Sequence, residues 1–129
     1  MSKQKILVVD DDEAVLEYLC LKVGARYDVI VTAASSEVMA IARESQPQLI
    51  VCDLDMPDMN GTQVSAAIFG DEELRHIPLM FLTGAIAPSD IRRVRGQVGG
   101  RPAVAKNAPL PELLERIEAM LASVSESYG

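Results

Sequence analysis

Short apolar runs alternate with longer amphipathic stretches along this chain, and that alternation limits its fold more than any other feature. The runs are Ile6–Val9, Val29–Val31, Leu49–Cys52, Leu79–Leu82 and a weaker Ala103–Ala105. They are mostly rich in β-branched residues and show no in/out alternation, so they suit strands covered on both faces. Between them the apolar residues fall at three- and four-residue steps, the spacing of one helix face. Leu16, Leu19, Cys20 and Val23 mark a helix over 13–24 that stops at Gly24. Val38, Ile41 and Ala42 mark 36–45, and Val64, Ala67 and Ile68 mark 62–69. Ile91 and Val94 mark 89–95, with Ser89 or Asp90 as cap. Leu113, Leu114, Ile117, Met120 and Leu121 mark 111–122, with Pro111 in its first turn and Leu110 a poor cap that predicts fraying. Five strand-then-helix units in succession predict an α/β fold: a parallel sheet with helices on both faces.

The 129 residues are filled by these five units, so the chain reads as a single domain over 1–129 with an ordered core at about 4–122. The polar tail Ser123–Gly129 is expected to be loose. Such a chain is long enough to bury a core without metal or disulfide staples. Cys20 and Cys52 both read as small buried hydrophobes in a reducing compartment. The formal net charge of −7 argues against a nucleic-acid partner, which needs a basic face. No apolar run reaches the ~20 residues of a membrane span, and the N-terminus does not read as a secretory signal. The expected location is therefore cytoplasmic.

In sheets of this class the functional site lies beyond the carboxyl ends of the strands. The residues there form a chemically coherent set. Asp10, Asp11, Asp12 and Glu13 follow the first run, Asp53 follows the third, Thr83 the fourth and Lys106 the fifth. Asp12 and Glu13 suit the start of a helix, where acids complement the dipole. Asp10, Asp11 and Asp53 are instead expected to converge, and three carboxylates at close range favour a hard divalent cation such as Mg²⁺. Beside a metal, Asp53 can act as a nucleophile toward phosphorus and form an aspartyl phosphate. Lys106 and Thr83 then offer an ammonium and a hydroxyl to the phosphoryl oxygens.

These motifs resemble those of the response-regulator receiver domains of two-component signalling, the CheY-like fold. The carriers are Ile6-Leu7-Val8-Val9-Asp10-Asp11, Leu49-Ile50-Val51-Cys52-Asp53 with Met56-Pro57 and Gly61, Ile77-Pro78 leading to Leu82-Thr83-Gly84, and Lys106. The likeness spans Lys5 to about Ala122. It implies a five-stranded parallel sheet ordered 2-1-3-4-5. It implies that Asp53 accepts a phosphoryl group from a sensor histidine kinase or a histidine phosphotransfer protein. It implies Mg²⁺ held by Asp11, Asp53 and the backbone carbonyl of Asp55, with Asp10 acting through water. Thr83 and Lys106 would bind the phosphoryl oxygens, and Thr83 would move on activation. The chain would be a signalling phosphoacceptor rather than an enzyme, with at most self-phosphorylation and autodephosphorylation, and would regulate a protein partner.

Three departures stand out. Ala103 occupies the position where the family usually carries an aromatic switch. Asn107 follows the lysine where a proline is usual, and the nearest proline is Pro109, which predicts a rearranged or mobile loop. Asp55 and Ala85 stand two residues beyond Asp53 and Thr83, flanking the water path to the phosphoryl group, and are expected to alter its hydrolysis. Two other readings stay open: a pseudo-receiver that binds partners without taking phosphate, and a haloacid-dehalogenase-type phosphohydrolase, whose nucleophile belongs on the first strand. His76 reads as a surface-loop residue. Arg92, Arg93 and Arg95 give the 89–95 helix a basic side, and Gly96, Gly99 and Gly100 predict a flexible approach to the last strand.

Overall fold

Adjacent residues of each central strand point to opposite faces, and here both faces are dry. In the computed structural model, which describes residues 3–56, 59–84, 97–98 and 101–128, Ile6 and Val8 pack into one apolar cluster while Leu7 and Val9 pack into another. Leu49 and Val51 part from Ile50 and Cys52 in the same way. One cluster is closed by Leu16, Leu19, Leu113 and Ile117, the other by Val38, Ala42, Val64 and Ile68. That is why these runs are continuously apolar rather than alternating.

The elements follow the expected order. Strand β1 spans Lys5–Val9, α1 Glu13–Val23, β2 Asp28–Thr32, α2 Val38–Ser45, β3 Leu49–Asp53, α3 Gly61–Phe69 and β4 Leu79–Thr83. Then come β5 (Gln97–Val98), β6 (Arg101–Ala105) and α4 (Leu110–Tyr128). A short 3-10 turn, Ser35–Glu37, leads into α2. The sheet order is β2-β1-β3-β4-β6-β5, so the five parallel strands stand in the order 2-1-3-4-5 when β6 is counted as the fifth. Strand β5 is an addition: two residues running antiparallel to β6, with Gln97 opposite Pro102.

The ends of the helices explain their lengths. Asp12 caps α1, its side chain accepting the Ala14 N–H at 2.9 Å, and the Gly24 N–H closes the other end on the Cys20 carbonyl. Asn60 and Gln63 form a reciprocal capping box at α3. Gln46 ends α2 in the left-handed region, φ 49°.

Several expectations need correction. Cys20 is exposed, because the buried stripe of α1 runs through Leu16, Leu19 and Val23; Cys52 is buried as expected. The Val29–Val31 run forms an edge strand, so it is only partly covered and Val31 is exposed. The last helix begins at Leu110 and continues through Tyr128 into the segment read as a loose tail. Leu110 is thus inside the helix, and the Glu112 and Leu113 N–H groups donate to the Pro109 carbonyl. The loop after Lys106, expected to be rearranged or mobile, has a trans Lys106–Asn107 bond and closes as a turn through the Ala108 N–H to the Ala105 carbonyl at 3.0 Å. The expected 89–95 helix, its arginines, Gly96, Gly99 and Gly100, and Ala85 lie outside the described residues.

Candidate functional site

The carboxyl ends of β1, β3, β4 and β6 meet at one edge of the sheet. Parallel pairing fixes this, because β3 lies between β1 and β4 and β6 follows β4. Each strand therefore delivers its terminal side chain to the same place. Asp10, Asp53 and Thr83 are all buried there, while Asp11 is exposed at the mouth.

Asp10 is the most fully buried of the acids. Its backbone N–H donates to the Thr32 carbonyl at 3.2 Å, extending the β1–β2 ladder by one residue. Its Oδ1 accepts the Asp12 N–H at 2.9 Å. Its Oδ2 stands 2.9 Å from Lys106 Nζ and, among the described residues, has no hydrogen bond of ordinary geometry besides that ion pair. The same ammonium lies 3.3 Å from Asp53 Oδ1. Asp53 Oδ1 also accepts the Asp55 N–H at 3.3 Å. The Lys106 N–H donates to the Thr83 carbonyl at 2.9 Å, so β4 and β6 are tied together where their functional side chains emerge.

Gly61 sets the depth of the acceptor loop. Its N–H donates to the Leu54 carbonyl at 2.9 Å. A Cβ there would stand 2.5 Å from the Asp53 carbonyl oxygen and 3.1 Å from the Phe81 ring. Only glycine lets α3 start this close to the end of β3.

The electrostatics follow from the burial. The Asp53 carboxyl is pushed up from 3.8 to about 6, first by burial and then by the charge of Asp10; Lys106 and the Asp55 N–H pull the other way. For Lys106, burial lowers the pKa, but Asp10 and Asp53 outweigh it and the net shift is upward. The ammonium therefore stays charged. The Cys52 thiol is raised to about 12 by burial and by Asp53 and Asp10, which leaves it protonated and no rival nucleophile.

One carboxylate oxygen from each of Asp10, Asp11 and Asp53 falls within 4.8 Å of the others. With all three ionised and Lys106 protonated, the formal charge of the four side chains is −3 + 1 = −2. Hard oxygen donors converging from three carboxylates and a charge of −2 fit a small divalent cation, while the Lys106 ammonium sits on Asp10 Oδ2. The residues expected at the strand ends thus come together. Asp12 stays apart as a helix cap, Asp55 is exposed and contributes its N–H, and His76 is exposed in a loop away from the strand ends. The Thr32 carbonyl, the Gly61 approach and the direct Lys106–Asp10 pair went unanticipated. The first and last are tertiary contacts with no local signature; the turn-forming Asn60-Gly61 pair was the one available hint.

Residues 6–118 match the family model of the response regulator receiver domain. Over 119 residues the chain is 31% identical to the polar-differentiation response regulator DivK of Brucella ovis, covering 92% of this chain and 96% of that protein. The Brucella anthropi protein of the same name is 30% identical over the same length. Among solved structures, a CheY-like receiver domain protein from Methanospirillum hungatei superimposes with a TM-score of 0.80 at 24% identity, covering 98% of this chain and 99% of that one. The chemotaxis protein CheY4 of Vibrio cholerae gives a TM-score of 0.78 at 23% identity, covering 92% of this chain and 99% of that one. At these identities the structural likeness speaks for the fold.

Proposed function

The chain belongs to the response regulator receiver domain family, and from that membership we propose that it is a working phosphoacceptor, one receiver domain in which Asp53 takes a phosphoryl group from a phosphohistidine. The observation that carries this is the placement of Asp53: buried at the end of β3, within reach of two further carboxylates and 3.3 Å from the Lys106 ammonium. An Asp53 carboxylate oxygen attacks phosphorus as the bond from the donor's imidazole nitrogen to phosphorus breaks. The imidazole leaves neutral, keeping the proton on its other nitrogen. Lys106 stays charged throughout and turns from the acid pair toward the added phosphoryl oxygens. The Thr83 hydroxyl donates to one of those oxygens, and its displacement marks the activated state. Asp10, Asp11, Asp53 and the Asp55 backbone carbonyl would hold Mg²⁺, which when bound neutralises charge on the transferring phosphoryl group.

The donor class is a sensor histidine kinase or a histidine phosphotransfer protein, and the recipient of the signal is a protein partner. This chemistry is stoichiometric, apart from slow loss of the phosphoryl group to water. A phosphohydrolase of the haloacid-dehalogenase type places its nucleophile on the first strand, whereas Asp53 ends the third. The pseudo-receiver reading rests on Ala103 and Asn107, neither of which removes a residue of the acceptor site. Incubation with phosphoramidate and, separately, with a phosphate monoester, each with Mg²⁺ or with a chelator, separates the three. A single stoichiometric uptake that needs Mg²⁺ supports the acceptor. Turnover of a phosphate monoester such as p-nitrophenyl phosphate points to a hydrolase, and no uptake to a pseudo-receiver.

A further inference from the structure

We propose that the face between α3 and β6, open among the described residues, is a docking surface for a protein segment that carries a carboxylate beside an apolar side chain. A cavity of about 550 Å³ opens there, and its walls include Ser65, Phe69, Arg75, Phe81 and Arg101. Phe69 is 67% exposed, although it is one of only two phenylalanines in the chain. Aromatic residues and arginines are enriched at protein contact surfaces, and here an exposed aromatic borders a concavity that two arginines also line.

The charge at this place opposes that of the molecule. The chain has seven more acids than bases, yet both ionisable groups lining the cavity are arginines. Arg101 is partly buried and gives its Nε–H to Ser65 Oγ at 3.1 Å. Among the described residues neither Arg75 nor Arg101 is paired with a carboxylate. Asp71, in the turn before Arg75, is already taken by Arg43. Burial lowers the pKa of Arg101, a sign that its charge is poorly compensated within the chain. A partner carboxylate would supply that compensation through charge-assisted hydrogen bonds, with an apolar side chain seated on Phe69. A net charge of −7 disfavours a polyanion such as a nucleotide, while a single carboxylate meets mainly the two arginines.

The surface is joined to the acceptor site through one helix. Gly61, at the start of α3, abuts the Asp53 carbonyl, and Ser65 and Phe69 lie one and two turns further along. This inference rests on the reading that the chain signals by protein contact, and it supplies a route that does not use the aromatic missing at Ala103.

The test is a titration of the isotope-labelled full chain with a short synthetic peptide carrying one glutamate between two leucines in an otherwise uncharged sequence, followed by amide shifts. A peptide with glutamine for glutamate serves as control. Saturable shifts are expected at Ser65, Phe69 and Arg101, with affinity falling roughly tenfold for the glutamine peptide and for Arg75→Ala. Phe69→Ser, at an exposed position, should weaken binding without loss of fold, and Arg101→Lys covers the case in which Arg101→Ala does not fold. Equal binding of the two peptides, shifts centred elsewhere, undiminished binding by Arg75→Ala, or a nucleotide displacing the peptide would overturn the proposal. Phosphoryl uptake by Asp53, measured on the same sample, is independent of these outcomes. Uptake without peptide binding removes the docking surface alone, and binding without uptake removes the phosphoacceptor reading alone.

Discussion

At the level of single residues the site is an arrangement of unequal carboxylates. Asp10 is buried and paired with Lys106, Asp11 is exposed, and Asp53 lies between them in exposure and holds its proton more tightly than an ordinary carboxyl. The sign of the resulting pH dependence is fixed. A folded-state value of about 6 against an ordinary 3.8 means that, between these limits, the folded chain keeps a proton the unfolded chain has released. Metal-free stability should therefore fall as pH rises through that window, by about 2 kcal/mol relative to Asp53→Asn. Urea unfolding of both proteins across the window checks this, and parallel curves would refute it. Lys106→Ala removes the shared cation and leaves two buried acids facing each other. A loss of roughly 3 kcal/mol at neutral pH in the presence of a chelator is expected from the same unfolding measurement. The identities of these residues were legible because each directly follows an apolar run. Their pairing was not: Lys106 sits on Asp10, a contact between the ends of β1 and β6 that no local pattern encodes.

At the level of elements, strand ends and helix starts carry the function. Asn60 and Gly61 show how differently two neighbouring residues contribute. Asn60 stabilises α3 through its capping box, so Asn60→Ala should cost about 1 kcal/mol and leave the site in place. Gly61→Ala forces a methyl group against the Asp53 carbonyl and the Phe81 ring. It should cost about 2 kcal/mol and also slow phosphoryl uptake, since the strand end itself must shift. Thermal unfolding with a parallel uptake rate distinguishes the two variants. The helices were readable because the 3.6-residue period of burial is written into them, and the central strands because β1, β3 and β4 are short, continuously apolar runs covered on both faces. Strand β5 was not, since two residues paired antiparallel carry no period. The edge position of β2 was also hidden, because an apolar run reads alike in the middle of a sheet and at its border. Cys20 was misplaced for a related reason: it neighbours the buried stripe of α1 without belonging to it.

Across the whole molecule, a sheet with two dry faces holds a rigid frame, and its one polar edge collects the charge. Among the described residues Asp10, Asp11, Asp12, Glu13, Asp53 and Asp55 place six of the chain's nineteen acids there. Mg²⁺ should consequently stabilise the fold as a ligand, by about 2.7 kcal/mol at a hundredfold excess over its dissociation constant. A monovalent salt of equal ionic strength should not, and Asp11→Ala should abolish the gain; calorimetry with and without chelator decides. The alternating order of the chain predicted this frame, since β-α succession and the handedness of crossovers leave few arrangements. The path by which a signal leaves the site was beyond the sequence, because Ala103 removes the usual cue and the α3–β6 face is built from residues far apart in the chain. Phosphoryl acceptance turns on Asp53, and site-resolved mass spectrometry of the intact chain after treatment with a small phosphodonor and Mg²⁺ tests it most directly. The prediction is one hydroxylamine-labile phosphoryl group per chain, located on Asp53 and absent from a folded Asp53→Asn variant. A phosphoryl group on another residue, or none on folded wild-type protein with Mg²⁺ present, would contradict it.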